Sequence, residues 1–396
     1  MNAAPRALRI GIDGRVLMHY EMRGFARYTV ELFRAMKQIA DGEIELISFS
    51  PEPLAREFLE LLDIRPVVFQ APREILWEQV ELPRRLAKER IDVYHVTTNR
   101  GLPYRRVAKY VVTCHDIIDR LPQYGDGETW RSALRKRYAD FISRHSADRF
   151  VTVSEFSRKD ICRFHRLPLE RVVVIYNAAS ERFYQRLPAE RIAQVGRKYG
   201  LPRQYFLFLA GFDKRKNAAM LVEAFAQLPR DLPPLVLAGE HKWEFSRISE
   251  RIAALGLGDR VTCPERIADE DLPAIYQGAM ALVHPSRYEG FGLQLVEAMA
   301  SGVPVLASHS TSLPEVLSGC GLLFDPEDAA SIAGAMERIG RGPELRNTLA
   351  DRGRQRARSF SWHKAAEQIL NLYCQLLAAS REFRAYHASE TTEQHR

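Results

Sequence analysis

The sequence predicts an α/β protein built on two open, mainly parallel sheets, one in each half of the chain. Short β-branched runs alternate with longer amphipathic segments, the rhythm of strand–helix–strand units. That rhythm breaks once, in a connector over residues 177–204 that carries Pro188, Gly196, Gly200 and Pro202, and then restarts. A chain of 396 residues is also long for one hydrophobic core, so two domains of roughly 150 to 200 residues are expected.

In the first half, strands are expected at 8–13, 44–49, 66–69, 92–96, 110–114, 149–153 and 172–176, with helices between them at 25–39, 74–88 and 128–145. In the second half they are expected at 205–211, 234–239, 260–263, 281–285, 304–308 and 321–324. Two such sheets joined at the connector leave a cleft between the carboxyl ends of their strands, where ligands of open α/β sheets bind. Residues 381–396 read as a frayed tail.

Composition narrows the function classes. Hydrophobic content of 46% and charged content of 27% are ordinary for a folded domain. No run of about 18 apolar residues appears, so a spanning helix is not expected. The start, MNAAPRALRIGIDG, lacks the apolar core of a signal peptide. Cys114, Cys162, Cys263, Cys320 and Cys374 are scattered and odd in number, so free thiols in a reducing cytosol are expected rather than disulfides or zinc.

The net charge of +7 is concentrated early: residues 1–190 hold 32 Lys and Arg against 26 Asp and Glu. A basic first half suits nucleic acid, an anionic membrane surface or phosphorylated ligands, and equally a solvated arginine-rich surface. No nucleic-acid module is recognisable, so nucleic acid is not an expected partner. Residues 130–150 place Trp130, Leu134, Tyr138 and Phe141 at helical spacing among Arg131, Arg135, Lys136, Arg137 and Arg144. A core-packing helix with a basic outer face is the expectation, a membrane-surface helix the alternative.

The stretch YEGFGLQLVEAMASG (288–302) carries the most chemistry. Gly290 and Gly292 permit close backbone approach ahead of a helix whose N-terminus offers free N–H groups to an anion. Glu289 in that loop would repel a phosphate, but it suits paired sugar hydroxyls. Glu297, a turn or more inside the helix, can reach a second polyol such as a ribose. In GFDKRKN (211–217), Arg215 and Lys216 can offset a departing diphosphate without a metal. In CHDIID, His115 and Asp116 follow a strand on the cleft edge. The histidine there titrates near neutrality and can bond a donor sugar or polarise an acceptor. Asp116 can orient it or bind the acceptor. The acids of DED (269–271) suit a helix start rather than a metal clamp. RGFARY is no GxGxxG fingerprint, which argues against a nicotinamide cofactor.

The stretch EGFGLQLVEAMASGVPVLASHSTSLPEV resembles the E-x7-E signature of the retaining glycosyltransferases of family 4. Matching segments run along nearly the whole chain: RGFARYTVEL, VVTCHDIIDRLP, VTVSEFSRKDI, VVVIYNA, LAGFDKRKNAAMLVEAF and SFSWHKAAEQILNLY. Gln294 stands where relatives often have proline, and Pro264 and Glu265 replace a customary glycine. Within the family, the chain is most similar to bacterial mannosyltransferases that build polysaccharides.

The resemblance implies a GT-B fold, two Rossmann-like α/β domains facing each other across a cleft. The acceptor domain is expected over 1–185, the nucleotide-sugar domain over 186–360, and a helix packing back on the first domain over 361–380. It implies His115, Glu289 and Lys216 as catalytic. It also implies Arg215, Lys216, Gly290, Phe291, Gly292, Leu293 and Glu297 as donor-binding, with Gly24 and Asp116 as phosphate or acceptor contacts. No metal and no cofactor are expected. The implied donor is a nucleotide-sugar, GDP-mannose first, and the implied acceptor a glycan or lipid-linked glycan. The expected place is the cytoplasm, at the inner face of the membrane. A UDP-sugar-dependent glycosyltransferase, a nucleotide-sugar epimerase or a phosphorylase on the same fold, and a basic nucleic-acid or anionic-surface binder, are the alternatives.

Overall fold

The computed structural model describes residues 6–18, 24–40, 42–124, 129–240 and 244–393, side chains beyond residue 379 excepted. The first sheet holds β1 (Leu8–Asp13), β2 (Ile44–Ser50), β3 (Arg65–Val68), β4 (Val93–Val96), β5 (Lys109–Thr113), β6 (Arg149–Thr152) and β7 (Val172–Val174). Its spatial order is β3-β2-β1-β4-β5-β6-β7, with every pair parallel. The second holds β8 (Tyr205–Leu209), β9 (Leu235–Ala238), β10 (Val261–Thr262), β11 (Ala279–His284), β12 (Val305–Ser308) and β13 (Leu322–Phe324). Its order is β10-β9-β8-β11-β12-β13, again parallel throughout. Every expected strand is present within about two residues of its expected ends, and the architecture is the two-sheet Rossmann-like one.

In each sheet the strand order reverses beside the strand that starts it, between β1 and β4 and between β8 and β11. Such reversal points splay the connecting loops apart and open a crevice at the carboxyl ends of the strands. The helices that matter for the crevice are α1 (Gly24–Ala40), α2 (Trp130–Ser146), α3 (Glu155–His165), α4 (Ala218–Ala226), α5 (Leu293–Ala300) and α6 (Trp362–Glu393). The central strands are buried, as in sheets covered by helices on both sides: Ile10 and Ile12 of β1 are inaccessible, as are Val283 of β11 and Leu306 of β12, whereas Val68 and Leu323 on edge strands are exposed.

Three expectations change. The single helix expected over 74–88 is interrupted by a wide turn at Trp77–Glu81, followed by Leu82–Lys88. Pro83 sits just beyond that turn and has no N–H to continue a regular helical ladder. The helix from Trp362 continues through Glu393, into the residues expected to form a tail. The core-packing role expected of 130–146 is reversed, because α2 turns its large apolar residues outward. Trp130 is 71% exposed, Leu134 60% and Phe141 50%, whereas Ser143 and Ser146 are buried. No helix among the described residues is long and apolar enough to cross a membrane.

α6 crosses back to the first sheet. Tyr373 Oη lies 2.5 Å from His95 Nδ1, and His95 Nε2 lies 2.7 Å from Thr113 Oγ1, so a buried polar chain links α6, β4 and β5. Burial pulls His95 down to about 3 and His115 down to about 4. Both rings are therefore neutral in the fold but take up a proton below about pH 6.5 once unfolded. Stability is thus complete above that value and falls as the pH drops from 6.5 toward 4. Thermal melts over that window are expected to show a declining midpoint. The decline should be shallower in His95→Gln, and an identical slope in the variant contradicts the assignment.

Candidate active site

Two loops of the second sheet build the floor of the cleft. After β8 the chain runs through Gly211 into a 3-10 turn at Lys214–Lys216, capped by the Asp213 side chain, and then into α4. After β11 it runs through Pro285–Gly292 into α5. Gly292 adopts φ +86° as the residue before that helix, a conformation in which a Cβ would also strike Leu313. Hydroxyls from the segment after β12 fasten this loop. The Glu289 amide donates to Thr311 Oγ1 at 3.0 Å, and Ser312 Oγ donates to the Glu289 carbonyl at 2.9 Å. No side chain caps α5, so its first amides face the cleft with the positive end of the helix dipole.

The two loops meet in a buried ion cluster. Lys216 Nζ donates to Glu289 Oε1 at 2.6 Å, Arg215 Nη1 donates to Oε2 at 3.1 Å, and His284 Nε2 lies 3.1 Å from Oε1. Burial would raise the Glu289 carboxyl, but Lys216, Arg215 and His284 outweigh it and hold it well below the usual range. Burial lowers the Lys216 ammonium from its usual value, against the attraction of Glu289. Burial also lowers His284, so its ring is neutral beside the pair. Arg215 also pairs with Asp213 at 3.4 Å, so two carboxylates match the two cations of the cluster.

A second carboxylate is held from both sides of the cleft. Glu297 on α5 is 3% exposed and accepts from Tyr276 Oη at 2.9 Å. It also accepts from Arg27 Nη1 at 2.5 Å, and Arg27 belongs to α1 of the first half. The other arm of Arg27 pairs with Asp269, and Asp269 pairs with Arg182 of the connector at 2.5 Å.

The opposing wall comes from the first sheet. His115 follows β5, its ring between Phe25 at 4.9 Å and Tyr28 at 4.6 Å. Its Nε2 lies 3.1 Å from the Thr97 carbonyl, which can only accept, so Nε2 carries the proton and Nδ1 is an acceptor. Burial to about 4 means the ring does not titrate near neutrality, contrary to the sequence reading. Nor is it oriented by Asp116. The His115 amide donates to Asn99 Oδ1, while Asp116 Oδ1 accepts the Ile118 amide.

The resulting cleft has a volume of about 780 Å³. Gly24, His115, Asp116, Lys216, Glu289, Gly290, Phe291, Gly292, Leu293 and Glu297 all line it. Arg215 stands behind Glu289 rather than in the wall. Sequence reasoning missed Arg27, Tyr276, Asp269 and His284. Of these only His284 carried a local signal, as the last residue of its strand, five before Glu289.

The comparisons with known proteins agree with this geometry. The family model described as "Glycosyltransferase Family 4" matches residues 22–181, and "Glycosyl transferases group 1" matches 196–356. The chain is 32% identical to O-antigen chain mannosyltransferase B of Escherichia coli over 379 residues, covering 89% of this chain and 96% of that one. The chain belongs to the family 4 glycosyltransferases. It is also 31% identical to the serotype-specific mannosyltransferase WbdA of Escherichia coli, covering 72% of this chain and 36% of that longer protein. Among solved structures, Anabaena Alr3699/HepE in complex with UDP-glucose superposes with a TM-score of 0.76 at 18% identity, covering 93% of this chain and all of that one. The fold of this glycosyltransferase is therefore GT-B.

Gly290 marks where the two halves touch. Its carbonyl accepts from Ser154 Oγ at 2.6 Å and Ser157 Oγ at 3.0 Å, and an added Cβ would stand 2.5 Å from the His115 carbonyl oxygen. Gly290→Ala is expected to push the walls apart. We expect kcat/KM to fall at least about tenfold, as sub-ångström misplacement of reacting groups does, with a small change in melting temperature. Wild-type turnover in this variant contradicts the closed arrangement.

Proposed function

We propose that this glycosyltransferase transfers mannose from GDP-mannose, with retention of the anomeric configuration and without a metal, to a hydroxyl of a growing lipid-linked polysaccharide or lipopolysaccharide glycan. The observation that carries the reading is the Lys216–Glu289–Arg215 cluster at the uncapped end of α5. As the bond from the sugar to the diphosphate breaks, negative charge grows on the leaving phosphate. Lys216 and the first amides of α5 are placed to receive it, in a dry site where such charges act strongly. Glu289, ionised by its cations, accepts sugar hydroxyls on the flank of the developing oxocarbenium ion, and Glu297 accepts the ribose hydroxyls. The acceptor oxygen bonds to the anomeric carbon, and its proton passes to the departing phosphate oxygen. Neutral His115 offers Nδ1 as an acceptor for a sugar hydroxyl. The mannosyl donor is supported by the names of the relatives, which are O-antigen mannosyltransferases over most of this chain.

Lys216→Ala and Glu289→Gln are each expected to lower kcat about a hundredfold or more, the usual loss when a charge-stabilising group is removed. GDP-mannose is expected to raise the melting temperature more than UDP-sugars do, because a ligand of the native state stabilises it by mass action. Chromatographic turnover of the nucleotide-sugar without acceptor would point to an epimerase instead. Near-normal turnover in both variants sinks the assignment.

The inverted helix supports a place at the inner, anionic face of a membrane. On α2, Trp130, Leu134, Tyr138 and Phe141 form one outward stripe, extended by Tyr104, which stacks on Phe141 with a centroid distance of 6.3 Å. Arg131, Arg135, Arg137 and Arg144 are exposed around the stripe, while the one acid of the helix, Asp140, pairs inward with Arg120 at 2.8 Å. Apolar rings flanked by arginines suit the boundary of an anionic lipid surface. The wild-type protein is expected to cosediment with vesicles containing phosphatidylglycerol and not with neutral ones. Combined substitution of Trp130, Leu134 and Phe141 by Ser should abolish this while sparing transfer to a soluble acceptor. Unchanged cosedimentation in that variant contradicts the surface.

A further inference from the structure

The ion network at Glu297 joins parts of the chain that nothing in the donor chemistry requires to be joined. Arg27 stands on α1, one turn in from Gly24, and is buried apart from a small edge on the cleft. Its guanidinium spans the cleft to two carboxylates, Glu297 on α5 and Asp269 in the segment after β10. Glu297 thereby receives one donor on each oxygen, Arg27 on Oε1 and Tyr276 on Oε2. A carboxylate has about four lone-pair sites, so two remain, one on each oxygen. A vicinal diol presents two hydroxyls, which matches that remainder.

The charges follow the same division. Burial raises the Glu297 carboxyl from its usual value, and the lowering influences are Arg27, Tyr276 and Arg182. The second half contributes only the Tyr276 hydroxyl to this carboxylate directly, whereas the cation in contact comes from the first half. Asp269, which takes the other arm of Arg27, is in turn paired with Arg182 of the connector. Separating the halves would leave Glu297 without its contacting cation and Asp269 without one of two.

We propose that Arg27 is a positioning residue for the donor: reaching across the cleft, it holds Glu297 so that its two remaining lone pairs face the ribose diol, and so makes ribose recognition a property of the closed form. The inference rests on the reading that Glu297 binds the ribose. It implies that Arg27 acts through Glu297, with no contact of its own to the transferred sugar. The second arm, on Asp269, fixes the guanidinium plane, so a lysine retains the charge but loses the fork that spans two carboxylates.

The test compares two probes: whichever of GDP and UDP the wild type binds, and its 2′,3′-dideoxy counterpart. Binding is measured by calorimetry to the wild type, Arg27→Gln, Arg27→Lys and Glu297→Gln, each with its melting temperature. The wild type is expected to prefer the ribo form by about tenfold or more, the scale of hydrogen bonds to a charged acceptor. Arg27→Gln should lose most of that preference, with little change in affinity for the dideoxy form, and Arg27→Lys should recover part of it. In turnover, the donor KM should rise more than kcat falls.

A wild type that binds both probes equally overturns the ribose reading and the inference with it. A preference lost in Glu297→Gln but intact in both folded Arg27 variants overturns the inference alone. Equal loss of affinity for both probes in Arg27→Gln also overturns it, because Arg27 would then act on the phosphates. If Arg27→Gln does not fold, Arg27→Lys and Asp269→Asn are measured in its place. A full ribo preference in both of these again refutes the role.

Discussion

The site depends on how closely two strand-end surfaces approach at Gly290. The His115 carbonyl of the first half lies where a side chain of residue 290 would begin, and two serine hydroxyls of α3 close on the Gly290 carbonyl. Around that contact the halves exchange partners. Glu315 of the second half accepts the amides of Glu155 and Phe156 at the start of α3, and also the Tyr176 hydroxyl at 2.9 Å. Tyr288 Oη donates to Asp160 at 2.7 Å. The helix dipole of α3 is therefore answered by a carboxylate from the opposite half, a favourable pairing only while the cleft is closed. Both carboxylates of the donor site lie within this seam, so the geometry of the seam sets the geometry of the site.

Burying these charges is costly, and the fold handles the two glutamates differently. Glu289 is neutralised locally, by Lys216 and Arg215 from a turn of the same sheet, with His284 closing the ring from β11. Its contacting cations come from its own half. Glu297 takes its contacting cation from α1. Removing one partner of a buried pair typically costs about 3–5 kcal/mol, so opening the cleft disturbs the second glutamate far more than the first. Glu289 is thus paired with cations of its own half, and Glu297 with a cation from across the seam.

Much of this was legible in the sequence because it is local. Strands of β-branched residues separated by amphipathic segments announce parallel sheets, and a left-handed Gly292 ahead of a helix announces an anion site. Lys216 and Glu289 could be singled out because each stands in a distinctive loop after a strand, but the ion pair between them was not read from the sequence. Arg27 could not be found this way. Its partners lie 242 and 270 residues away, and nothing near it distinguishes it from other arginines on amphipathic helices. The error on α2 has a different origin. Helical spacing of Trp130, Leu134, Tyr138 and Phe141 identifies a face but not its direction, and apolar stripes ordinarily face inward. Here the buried positions are Ile142, Ser143 and Ser146, on the face away from the stripe, so the stripe is left outside. The interrupted helix at 77–81 was marked by Pro83, which is interior to the expected helix 74–88, where a proline breaks the hydrogen-bond ladder.

The connectivity turns these separate features into one arrangement. α2 links β5 to β6, so its outward stripe belongs to the half that carries His115 at the end of β5. Lys216 and Arg215 belong to the other half, on the loop after β8. Were the stripe of α2 to lie on a membrane, as proposed, it would orient the half that carries His115, with Lys216 and Arg215 in the half across the seam. Contacts across the seam, Arg27 on Glu297 among them, tie the two halves together. An α2 packed into the core would have offered no such face on the half that carries His115, which is why the reversal of one helix face bears on the cleft.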